Sequence, residues 1–154
     1  MMEQLVDWGA MGQSALKITL AYCLALPIGW DREREAHSVG VRTFPLVAVA
    51  ACGYVLLGDV YGAKVPDAQS RIIQGLVTGI GFIGAGAILK GPADVHGTAT
   101  AASIWNTGAI GAAVALGRYE LAIVMSVLNL VTLRLLLPLK QRLDRRKDEE
   151  NSGL

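Results

Sequence analysis

Three stretches of this chain carry no charged residue: Thr43–Gly58, Ile72–Leu89 and Gly97–Gly117. A soluble helix keeps charge along its outward face, so helices built from these stretches have no face to offer water. The charge is concentrated elsewhere. Of 27 charged residues, six lie in Asp31–Arg42 and nine in Lys140–Glu150. With 53% of its 154 residues hydrophobic and 18% charged, the chain is excluded from the soluble globular class.

A net charge of +1 and the alternating signs of Asp31–Arg42 exclude a nucleic-acid partner, which requires a basic excess or a basic stripe. Cys23 and Cys52 lie inside apolar runs. Two such thiols build neither a disulfide framework nor a zinc site, and both are expected as small buried hydrophobes. No metal and no cofactor is expected.

Bilayer hydrocarbon is ~30 Å thick and takes ~20 helical residues to cross. The sequence predicts an all-α membrane domain over residues 1–139, with five spans near 8–30, 43–58, 72–89, 97–117 and 120–139. A charged tail, 140–154, follows, its basic first half against anionic headgroups and its acidic end disordered. Trp8 and Trp30 bracket the first span as interfacial anchors. Glu3 and Asp7 precede any basic residue, the wrong sign for a secretory leader, so the first span is expected to be retained. Placing Asp31–Arg42 inside puts nine basic residues on the cytoplasmic side against four outside. The positive-inside rule then gives an N-out, C-in protein.

The third span holds Gly75, Gly79, Gly81, Gly84 and Gly86, and the fourth holds Gly108 and Gly111. Gly79–Gly84 spells G-x-G-x-x-G, but a dinucleotide site needs a preceding strand and an acid ~20 residues on. Neither is present in this uncharged run. Small residues that let backbones approach drive helix association in lipid. The third and fourth spans are therefore expected to pack closely and form the centre of the fold. The likeness of Thr78–Gly86 to Thr107–Gly117 hints at an inverted repeat. The glycines also permit an unwound third span, the kind of break in which transporters place their sites.

Three segments, Gly29–Ala51, Ser70–Leu89 and Val95–Tyr119, resemble the MgtC/SapB family of bacterial inner-membrane proteins over about residues 20 to 137. The motifs are an acid–Arg pair after a glycine, G-V-R-T at 40–43, R-I-x-x-Q before G-I-G-F-I-G-A-G, and T-A-A-x-I-W. Their polar members Asp31, Arg32, Arg42, Thr43, Arg71, Gln74 and Thr100 are the candidate site residues that the resemblance marks. The chain departs from the family pattern at Asp31, usually Glu, and at Thr98-Ala99, usually Leu followed by Thr or Asn. Many members also continue into a soluble domain after the fifth span, so this chain reads as a short, membrane-only form. The resemblance implies a multi-pass inner-membrane protein without catalysis of its own. It further implies a role in growth at low magnesium or in virulence, in some members through restraint of the F-type ATP synthase.

The residues bear on the mechanism directly. Mg²⁺ wants carboxylate or carbonyl oxygens in octahedral array, yet the second, third and fourth spans contain no acid. This counts against a cation transporter, which stays as the alternative through the carbonyls of a broken third span. Arg42 is expected either to anchor the second span or to pair with Asp31, and Arg134 to snorkel. Asp67 is expected to cap the third span, where Arg71 opposes the helix dipole. Trp105 and Asn106 fall near mid-membrane, Asn106 as interhelical glue and Trp105 as a partner contact. His37 and His96 are read as loop histidines, and no nucleophile has a base beside it. The expected action is helix–helix binding, to another membrane protein or to a second copy, within the lipid bilayer.

Overall fold

The computed structural model describes residues 7–36, 39–62, 67–90 and 95–152. Five helices follow in order: α1 (Trp8–Ala36), α2 (Thr43–Gly62), α3 (Ala68–Gly86), α4 (Thr98–Ala115) and α5 (Tyr119–Ser152). Between α3 and α4 lies a small hairpin, β1 (Leu89–Lys90) antiparallel to β2 (Val95–His96), with Leu89 opposite His96. The sequence places these four residues at the end of the third span or in the loop after it, so the hairpin is an addition to the expected fold. The fold is otherwise all-helical, as the charge-free runs predict.

Local chemistry sets the helix ends. The Asp7 carboxylate accepts from the Gly9 and Ala10 N–H groups at 2.9 and 3.1 Å, capping α1. At the end of α4, Gly117 takes φ +73° and the Arg118 N–H returns to the Ala113 carbonyl at 2.9 Å, a glycine C-cap of Schellman type. Asp67 stands at the N-cap position of α3 with φ +70°, and its side chain makes no capping bond. The expectation that its carboxylate caps α3 is thus corrected: the left-handed backbone turns the chain there without it.

Two further expectations change. α3 is unbroken from Ala68 to Gly86, so the carbonyls of Gly75, Gly79 and Gly81 stay in the helical ladder. The G-x-G-x-x-G string sits in the middle of that helix, not at a strand-to-helix turn. α5 does not end near Leu139 but continues as helix to Ser152. Leu, Lys, Gln, Arg and Glu dominate that extension, all residues that lose little freedom in a helix.

Contacts fix the helix directions. Ile80 and Gly84 of α3 meet Gly108 and Ala101 of α4, and Ser103 and Asn106 of α4 meet Asn129 and Met125 of α5. Both pairs therefore run antiparallel. α1 and α5 run parallel, joined at Leu24–Ser126 and at Asp31–Arg134. α4 is the central helix: it packs on all four others, most extensively on α2, and buries Ile104, Thr107, Ile110, Val114 and their neighbours. α3 lies to one side, with only Ile80 and Gly84 buried. The expected α3–α4 centre is thus replaced by an α2–α4 centre. The reason is visible at Gly111, where a Cβ would strike the Ala48 carbonyl and meet the Ala51 Cβ at 3.0 Å.

Among the described residues, two helices are long and apolar enough to cross a membrane, Trp8–Glu35 and Tyr119–Pro138; Thr43–Asp59 is a shorter apolar helix.

Candidate functional site

The glycines divide into two groups. Gly84, Gly108 and Gly111 are buried, each filled from across a helix pair: Gly84 by the Ala101 carbonyl, Gly108 by the Ile80 side chain, Gly111 by α2. These are the close contacts the sequence called for. Gly75, Gly79, Gly81 and Gly86 are exposed, and a Cβ added at any of them would meet nothing within 4 Å. They pack against none of the described residues. Gly75 and Gly79 instead border an apolar groove of about 470 Å³ between α2 and α3, walled by Val47, Ala51, Tyr54 and Ile83 among others.

A polar seam joins α4 to α5. The Ser103 hydroxyl donates to Asn129 Oδ1 at 2.9 Å, and Asn106 Nδ2 donates to the Met125 carbonyl at 3.3 Å. Asn106 therefore is the interhelical link expected of it. Its neighbour Trp105 is 52% exposed and points away from the bundle core. Thr107 returns its hydroxyl to the Ser103 carbonyl at 2.8 Å within α4, and Thr100 is buried on the same helix. On α1, Lys17 Nζ donates to the Ala115 carbonyl at 2.7 Å, placing a cation on the last turn of α4.

The charged motif at the end of α1 forms a cluster with α5. Asp31 Oδ2 accepts from Arg32 at 2.8 Å, and Asp31 Oδ1 accepts from Arg134 Nε at 3.0 Å. Asp31 and Arg32 are buried, whereas the Arg134 side chain is 65% exposed. Of the two roles expected for Arg42, pairing with Asp31 is therefore corrected. Arg42 is exposed, and both oxygens of Asp31 are taken by the other two arginines. The G-V-R-T loop is held another way. Glu33 Oε2 accepts the Val41 N–H at 3.0 Å, and Gly40 lies so close on Glu33 that a Cβ would collide with it. Gly29 meets the same loop, with Gly40 O, Val41 Cα and Phe44 Cβ within 3.0–3.2 Å of a Cβ position. Thr43 opens α2, its N–H on the Gly40 carbonyl at 3.0 Å.

Arg71 and Gln74 are exposed near the start of α3; Gln74 lends its carbonyl to the Thr78 hydroxyl. Asp59 is engaged by Gln69 at 2.8 Å, tying the end of α2 to α3. Cys52 is buried, but Cys23 lies on an exposed face, contrary to expectation; position 23 falls on the outward side of a helix that buries Ala21, Ala25 and Ile28. His37 lies outside the described residues. Glu33, Arg134, Ser103, Asn129 and Lys17 were not marked as site residues from sequence. Of these, Arg134 and Lys17, each a charge inside a span, carry a signal in the sequence.

Taken together, these residues define a small helical membrane protein whose polar side chains join helices rather than converge on a substrate. The chain belongs to the MgtC family, whose model matches residues 18–142; its members are membrane proteins. Protein SrpB of Synechococcus elongatus is 36% identical over 140 residues, covering 82% of this chain and 75% of SrpB. The Escherichia coli K12 protein named "Putative magnesium transporter YhiD" is 35% identical over 134 residues, with 83% and 62% covered. Protein MgtC of Brucella abortus is 33% identical over 137 residues, with 89% and 57% covered. The chain thus spans about three fifths of the length of YhiD and MgtC. No solved structure matches it.

Proposed function

We propose that this chain is a five-span, N-out inner-membrane protein that acts by helix–helix association through the outer face of α3. It binds another membrane protein, such as the F-type ATP synthase, or a second copy of itself, and it has no catalysis of its own. The role is in magnesium homeostasis or virulence, in line with the relatives named for magnesium transport and MgtC. The observation that carries the reading is the open glycine face. Gly75 and Gly79, one helical turn apart and open among the described residues, cost helix stability, ~1 kcal/mol each relative to alanine, and the groove beside them is apolar and unfilled by the described residues. Small residues lining an open face are what a second helix needs in order to approach closely. The alternating helix directions and the basic loop after α1 support the five-span, N-out topology.

Replacing Gly79 by Leu tests this. Association measured by energy transfer between labelled chains, or capture of the partner from native membranes, is lost while the fold persists. Unchanged association and unchanged capture would overturn it.

The name of YhiD favours a second reading, transport of Mg²⁺. Against it stand the unbroken α3 and the Asp31 carboxylate, both of whose oxygens already face guanidinium groups. Mg²⁺ flux into liposomes holding the purified chain would favour transport.

A further inference from the structure

The cluster at the end of α1 is unbalanced in charge and in hydrogen bonds. One carboxylate, Asp31, faces two guanidinium groups, Arg32 and Arg134. The Arg32 side chain is 8% exposed and its Nε–H is buried with no acceptor. A buried donor left unpaired is costly, and more so on a charged group. Arg134 spends its Nε on Asp31. Among the described residues nothing accepts from its two terminal NH₂ groups, on a side chain that is mostly exposed. The neighbouring acids do not correct the balance: Glu33 holds the Val41 N–H, and Glu35 is exposed.

The depth of the cluster is marked by Trp30, one residue before Asp31. It is exposed, and the Arg34 guanidinium lies 5.7 Å above its ring. A tryptophan at the end of a span sits at the headgroup level, so the two guanidiniums lie there too. Arginine presents a planar fork of donors that matches phosphate oxygens in pairs.

We infer that Arg32 and Arg134, held apart by Asp31, form a binding site for a phosphate monoanion or phosphodiester, and that an anionic phospholipid headgroup fills it. Arg134 makes the first contact through its exposed NH₂ groups. Arg32 adds its charge from beneath the surface, and Asp31 keeps both guanidiniums in place while leaving one positive charge for the ligand. The latch between α1 and α5 and the headgroup site are then the same three residues, so lipid binding steadies the junction from which the α5 extension departs.

Native mass spectrometry of the full chain in mild detergent tests this with three probes: dioleoyl phosphatidylglycerol, dioleoyl phosphatidylcholine and inorganic phosphate. The expected result is one tightly held phosphatidylglycerol per chain, with affinity about tenfold lower in Arg134→Gln and unchanged in Arg142→Gln. Competition by millimolar inorganic phosphate would support the site with a soluble phosphate as its source; absence of competition would support the lipid. Should Arg134→Gln fail to fold, Arg134→Lys, which keeps the charge but loses the fork, is expected to weaken binding by a smaller factor. Phosphatidylcholine bound as tightly as phosphatidylglycerol would overturn the site. So would equal losses in Arg142→Gln, which would assign the binding to the diffuse charge of the tail, or no effect of either Arg134 variant.

Discussion

Arg134, about four fifths of the way along the apolar part of α5, donates its Nε to the Asp31 carboxylate at the far end of α1, 103 positions earlier in the chain, at 3.0 Å. A charge inside an apolar helix is thereby explained by a partner on a parallel neighbour rather than by snorkelling alone. The relationship also fixes how α1 and α5 lie, because Ser126 meets the Leu24 carbonyl further back along the same pair at 2.8 Å.

Asp31, Arg134 and Arg42 should differ sharply on substitution. Asp31→Ala leaves Arg32 buried and unpaired, a loss of about 3–5 kcal/mol. Arg134→Gln removes a mostly exposed partner and should cost at most about 1 kcal/mol. Arg42→Ala should have little effect, and its effect should add to that of Asp31→Ala. Thermal or denaturant unfolding in detergent gives the comparison; a coupling between Asp31 and Arg42 would contradict the arrangement.

Glycine positions make a graded series. At Gly111 an added Cβ strikes the Ala48 carbonyl, which is backbone and cannot give way, so Gly111→Ala should destabilise by about 1–3 kcal/mol. At Gly108 the obstacle is the end of the Ile80 side chain, which can rotate, so Gly108→Ala should cost less. Gly79→Ala meets open space and should stabilise α3 by up to about 1 kcal/mol. The order of melting temperatures checks all three.

Ser103→Ala and Asn106→Leu each remove one interhelical bond of the α4–α5 seam. Each should cost about 0.6 kcal/mol, the mean for such bonds in a membrane. Losses several times larger would mean that the seam carries more of the fold than its geometry implies.

Lys17→Met removes the cation from the last turn of α4 while keeping a long side chain. The expected cost is about 0.3–1 kcal/mol. Hydrogen exchange at the Ala112–Leu116 turn should rise in that variant and stay unchanged at the start of α4.

Much of this was legible in the sequence. Absence of charge from Thr43–Gly58, Ile72–Leu89 and Gly97–Gly117 gives three of the helices within a few residues, because uncharged apolar runs of that length have few other ways to satisfy their backbone. The motif residues also give the family. What composition could not give was which glycines face inward. Gly75 and Gly108 look alike in a string of letters, yet one is open and the other is filled by Ile80. That depends on the rotation of each helix about its axis, which the rest of the bundle sets. The partner of Asp31 was hidden for a related reason. Proximity in sequence favoured Arg42, whereas the parallel run of α1 and α5 brings up Arg134 instead. Glu33 was hidden because its work is local, holding the Val41 N–H, and leaves no periodic trace.

The central claim is that the glycine face of α3 meets another protein within the membrane. A photo-crosslinking amino acid placed at Gly79 in the full chain, activated in intact membranes, tests it most directly, with the exposed α5 position Leu128 as the lipid-facing control. A discrete protein adduct from position 79, absent from position 128 and lost on adding Gly75→Leu, is the predicted result. Lipid adducts alone at both positions would contradict the account.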